Sequence, residues 1–144
     1  MPLHAEYEPN NIFAKIIAGE MPSVQIFEDD TVLAFLDIFP QTRGHTLVIP
    51  KNVTARNFLE TPADRLGPYM THVQSIAGGV ERALQPDGIR IMQLNGAAAG
   101  QTVFHLHFHI IPIWEGEQAR PHASGGPAKS EDLEIIAKLI RSAL

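Results

Sequence analysis

The 144-residue chain contains no cysteine, which excludes disulfides, thiolate nucleophiles and cysteine-ligated zinc and fits a reducing compartment. No apolar run approaches the ~20 residues of a membrane-spanning helix, so no membrane partner is expected. Positive charge is also scarce: 11 Lys and Arg stand against 16 Asp and Glu, for a net charge of −5. A surface that follows nucleic-acid phosphates needs a basic patch, so no nucleic-acid partner is expected. A small anion held by local donors remains open. The opening residues Met1-Pro2-Leu3-His4-Ala5-Glu6 lack the basic flank and apolar stretch of a secretory signal. A cytoplasmic location is the resulting expectation.

What is present is a globular composition, 44% apolar, in a chain long enough to bury one core. The spacing predicts a polar lead-in over residues 1–9 and a short helix over 12–18, capped by Asn10 or Asn11 and ended by Gly19. Strands are expected at 24–27, 32–37 and 45–49, the last stopped by Pro50. Thr61-Pro62-Ala63-Asp64 has the form of a helix start, and a long helix should run to about Leu84. Gly78-Gly79 inside that helix costs roughly 1 kcal/mol per glycine relative to alanine, for which close backbone packing is a reason. Further strands are expected at 89–94 and 103–111, then a Pro- and Gly-rich stretch over 115–129 and a last helix from Ser130. The apolar positions Leu133, Ile136, Ala137, Ile140 and Leu144 give that helix one apolar face. The whole reads as α+β: an antiparallel sheet of about five strands with a short N-terminal, a long central and a C-terminal helix. Residues 1–114, with a core over 10–114, form the domain; 115–144 form a tail.

The most informative segment is His105-Leu106-His107-Phe108-His109-Ile110-Ile111. In a strand, alternate side chains share a face, so the three histidines would line one side, roughly 6.5–7 Å apart, and Leu106, Phe108 and Ile110 the other. His45 starts another strand. Three readings compete. The histidines are solvated polar residues, or they ligate a zinc ion, or one imidazole attacks phosphorus while its neighbours supply hydrogen bonds and a proton. The preceding Asn95-Gly96-Ala97-Ala98-Ala99-Gly100-Gln101-Thr102 favours the third. Small residues let backbone N–H groups approach a phosphate, and Asn95, Gln101 and Thr102 add side-chain donors. A plain hairpin connection accounts for the same loop without a ligand.

These residues resemble the histidine-triad (HIT) superfamily of nucleotide hydrolases and transferases, whose signature is His-φ-His-φ-His-φ-φ with φ apolar. Gly44-His45-Thr46-Leu47-Val48-Ile49-Pro50-Lys51 resembles the segment carrying the family's fourth histidine. Residues 12–20 and 33–38 resemble its nucleoside-binding segments. The likeness is greatest to the Hint-like branch.

The resemblance implies the fold stated above and a set of roles. His107 would be the nucleophile at the α-phosphate, His109 would contact the phosphate and assist proton transfer, His105 would orient the nucleophile, and His45 would complete the network. Asp37 would accept the ribose hydroxyls. Ile12, Phe13, Ile16, Phe35 and Ile38 would line the base pocket, although apolar periodicity by itself usually means core. Asn95, Gly100, Gln101 and Thr102 would hold the phosphate. The implied activity is hydrolysis of a purine nucleoside phosphoramidate through a nucleotidyl-histidine. The alternatives are a dinucleoside polyphosphate hydrolase or a nucleotide-binding regulatory protein with residual catalysis. A homodimer is implied, without cofactor. Where many bacterial relatives carry a Cys-x-x-Cys zinc pair, this chain has Asn11 and Ala14, so no structural zinc is expected.

Overall fold

Five strands form one antiparallel sheet: β1 (Gln25–Glu28), β2 (Val32–Leu36), β3 (Thr46–Pro50), β4 (Gly88–Met92) and β5 (Phe108–Ile113). The structure is a computed structural model that describes residues 2–121 and 126–144. The order across the sheet is β1-β2-β3-β5-β4. β2 and β3 are buried at every position, as their continuous apolar runs require for strands covered on both faces. Alternation divides β2 between two cores. Val32, Ala34 and Leu36 join the larger core, while Leu33 and Phe35 join a smaller one with Phe13, Leu47 and Ile49.

The short helix α1 (Ile12–Ile17) covers the smaller core through Phe13. Its cap is Asn11, whose Oδ1 accepts from Ala14 N at 2.9 Å. Helices α2 (Ala63–Leu84) and α3 (Ser130–Arg141) cover the other face. Leu133, Ile136, Ala137 and Ile140 sit in the same core as the sheet, so the terminal helix is part of the fold and not an appended tail. Of the paired glycines of α2, Gly79 has a packing reason. A Cβ on Gly79 would collide with the Leu144 side chain, and one on Gly78 would lie 3.1 Å from Arg82 Nη1. Arg82 in turn donates to Ala143 O at 2.8 Å, so the C-terminus docks on this bare stretch of helix.

Two expectations need correction. Thr61 does not cap α2: its hydroxyl donates to Asn57 O at 2.9 Å, and the helix begins at Ala63 with no side-chain cap. The histidine segment is a strand only from Phe108. Upstream, the chain leaves the sheet because Leu106 N donates to Ala55 O at 2.9 Å instead of to β3. Two described residues of the Pro- and Gly-rich stretch bond the loop after β2: Arg120 N donates to Gln41 O at 2.7 Å and Ala128 N to Ile38 O at 2.8 Å. His122 lies outside the described residues. No described helix is long and apolar enough to cross a membrane.

Candidate active site

All four histidines singled out in the sequence converge beside the smaller core. Their relative exposures are 0% for His45, 2% for His105, 8% for His107 and 5% for His109, so none is a solvated surface residue. The segment is anchored from its other side, since Leu106 and Ile110 are fully buried in the larger core. The facing expected of a strand therefore survives although residues 103–107 do not form one.

Hydrogen bonds fix the proton positions. His107 Nδ1 lies 2.7 Å from His105 O, and a carbonyl only accepts, so Nδ1 carries a proton; in the neutral ring the lone pair is then on Nε2. His105 Nε2 donates in the same way to Pro50 O at 3.0 Å. Its Nδ1 then accepts from Tyr7 Oη–H at 2.6 Å. Burial holds the His105 pKa down at about 4; the Pro50 hydrogen bond opposes the shift and the neighbouring His107 adds to it. His105 is therefore neutral at neutral pH. Orientation of His107 comes from the backbone carbonyl of residue 105, and the His105 ring acts one step behind, holding that backbone in place.

The second pair is formed across β3 and β5. Gln41 N donates to His45 Nδ1 at 3.0 Å, so His45 carries its proton on Nε2. That nitrogen is 2.9 Å from His109 Nδ1 and donates to it. His109 is then protonated on Nε2, the edge turned away from His45, as an outward donor. The His107 and His109 rings meet edge to face at 5.0 Å between centroids. Phe13 stands 5.0 Å from His107, also edge to face, and closes the apolar side.

Asp37 follows β2 and is 6% exposed. Its Oδ1 accepts from Phe39 N at 2.8 Å and its Oδ2 lies 3.6 Å from His45 Nε2. It is thus both the turn former that its position suggests and a neighbour of the histidines. Asp37, His45 and His109 present ligand atoms within 4.8 Å of one another. The His45 and His109 nitrogens face each other across a hydrogen bond, so a cation would have to displace the shared proton.

The apolar candidates separate into two sets. Phe13, Ile16 and Phe35 pack in or against the smaller core, while Ile12 and Ile38 are 44% and 46% exposed. The loop before the triad differs from expectation. Gly96 and Gly100 take φ of +94° and +103°, around a single 3-10 turn, Ala97–Ala99. In that turn Gly100 N donates to Ala97 O and Gln101 N to Gly96 O. The Gln101 side chain is buried, accepting from Gly96 N and donating to Arg56 O and Val103 O. Gly100 N and the Gln101 side chain thus use these groups within the loop and shape it. Asn95 uses its Oδ1 on Phe58 N and Gln93 Nε2, which leaves its NH2 as a donor. Thr102 is exposed. Tyr7 was missed in the sequence, where it fell within a polar lead-in; its one signal is an aromatic ring in an otherwise polar segment.

Comparison with known proteins gives a consistent result. The HIT domain profile matches residues 18–115. A Bacillus subtilis relative, Protein hit, is 42% identical over 94% of this chain and 94% of its own length. Adenylylsulfatase HINT3 of Arabidopsis thaliana is 38% identical over 78% of this chain and 59% of its own length. The crystal structure of a Hit-like protein involved in cell-cycle regulation from Bartonella henselae, with an unknown ligand, has a TM-score of 0.90 and 51% identity, and the match covers 97% of this chain and 100% of that one.

Proposed function

The chain belongs to the HIT family of nucleotide hydrolases and transferases, and on that premise we propose that it cleaves a purine nucleoside monophosphate from a leaving group on its α-phosphate. A phosphoramidate P–N bond is the preferred target. The observation that carries this reading is the 2.7 Å contact from His107 Nδ1 to His105 O, which holds the ring with Nε2 as the nitrogen that attacks when the ring is neutral.

In the first step a bond forms from His107 Nε2 to phosphorus and the bond to the leaving nitrogen breaks. His109 donates its outward N–H to a phosphate oxygen, where charge accumulates. In the second step water attacks phosphorus and frees His107. The amine departs in the first step with a proton relayed through His109; in the second step the hydroxyl of one water goes to the nucleotide and its remaining proton replaces the one given up. Asp37 takes the ribose hydroxyls, Ile12 and Ile38 with Phe13, Ile16 and Phe35 behind them hold the base, and Thr102 and Asn95 supply phosphate donors. The His45–His109 hydrogen bond supports this reading over a metal site, because it is complete without a cation. A homodimer formed through the sheet edge is part of the proposal.

Replacing His107 with Asn keeps polar volume but removes the attacking nitrogen. Turnover of adenosine phosphoramidate should fall at least ~1,000-fold, while AMP affinity, read by calorimetry, stays within a few-fold. Turnover equal to wild type would refute the assignment.

A further inference from the structure

Arg56 has no part in the chemistry above, yet it is the one buried cation without a counter-charge among the described residues. It is only 3% exposed, its Nη1 is buried with no hydrogen-bond partner, and it enters no ion pair there. Its Cζ sits 4.7 Å from the centroid of the Phe104 ring. That stacking is favourable but satisfies no N–H donor. Buried guanidinium groups are normally paired, because an unpaired buried charge is costly.

Arg56 is among the residues that line a cavity of about 370 Å³, together with Ile12, Thr102, Val103 and Phe104. The position of this cavity is informative. Thr102 to Phe104 lead directly into His105, and Ile12 opens the helix whose Phe13 touches His107. Thr102, a proposed phosphate donor, and Ile12, a proposed base contact, thus border the same space as the unpaired cation. Glu6 and Glu8 also line it, but both are exposed, so water screens their repulsion of an anion far more than it screens the attraction of Arg56.

We infer that Arg56 anchors a leaving-group subsite that takes an oxyanion, carboxylate or phosphate, carried by the amine that departs from the α-phosphate. The inference rests on the nucleotidyl-transfer reading and narrows it: the preferred substrates are nucleoside phosphoramidates of anionic amines. A guanidinium suits this task because its planar fork bonds two oxygens of one anion at once. No new bond is made at Arg56; the anion binds and leaves with the amine.

The test uses three adenosine phosphoramidates, made from propylamine, β-alanine and aminoethyl phosphate. Wild-type kcat/KM should favour at least one anionic amine over propylamine by about tenfold or more. In Arg56→Gln that ratio should fall toward one, and the anion whose advantage is lost identifies the class recognised. Arg56→Lys, which keeps the charge without the fork, should give an intermediate ratio. Because the readout is a ratio within one protein, partial misfolding cancels. A wild type without preference, or variants that slow all three substrates equally, would overturn the inference. The same comparison of dissociation constants in His107→Asn decides the subsite independently of catalysis: equal affinity for all three compounds would also overturn it. Absence of turnover on every compound, with the affinity difference intact, would sink the proposed reaction and leave the subsite standing.

Discussion

At the scale of single residues, the account rests on where protons sit. His105 makes this measurable through stability. Its folded pKa of about 4 lies below the unfolded value of about 6.5, so it is neutral in both states above that range. As the pH drops from 6.5 to 4, the unfolded chain takes up a proton that the folded chain refuses. Its contribution to stability is therefore complete above pH 6.5 and is lost on acidification, by up to ~1.4 kcal/mol per pH unit. Urea denaturation of wild type and His105→Asn across this range should show a steeper pH slope for wild type. Parallel slopes would contradict the neutral, buried assignment. Tyr7→Phe strips the donor from His105 Nδ1 and should cost about 1–2 kcal/mol, because an imidazole acceptor is left without a partner. An unchanged urea midpoint would mean that the 2.6 Å contact carries no weight.

At the scale of elements, the sheet delivers the histidines and the turns set their angle. Gly44 has φ of +90°, and a Cβ there would collide with Leu84. Gly44→Ala should cost about 1–3 kcal/mol and reduce kcat, since it displaces the residue that begins the His45–His109 link. Unaltered stability in thermal melts would show that the turn relaxes freely. Much of this level was legible from sequence. The apolar runs of β2 and β3 and the helical spacing of α3 gave the correct elements, because burial on both faces and on one face leave different patterns. The alternation at 105–109 gave the correct facing but the wrong backbone. A bend that keeps side chains alternating looks like a strand in sequence, and the Leu106 to Ala55 hydrogen bond that makes it is long-range. The internal contacts of Gln101 are hidden from sequence for a related reason. A carboxamide between glycines suits an anion or a loop staple equally, and only Arg56 O and Gly96 N decide between them. Tyr7 was invisible because its partner lies 98 residues away.

At the scale of the whole molecule, the two sheet edges differ. On β1, Arg141 Nη1 reaches across to Gln25 O at 2.6 Å. Among the described residues no such contact covers β4, and Ile91 on it is 49% exposed. An open apolar edge favours pairing with a second copy, so sedimentation equilibrium should give twice the chain mass, and Ile91→Lys should shift it toward one. A wild-type monomer would remove the dimer from the account. The catalytic claim is tested on the intact protein. Rapid mixing with an adenosine phosphoramidate, acid-free quenching and whole-protein mass spectrometry should reveal a transient gain of one adenylyl group, mapped by fragmentation to residue 107. Full turnover with no such adduct at any time point, or an adduct placed on another residue, would contradict it.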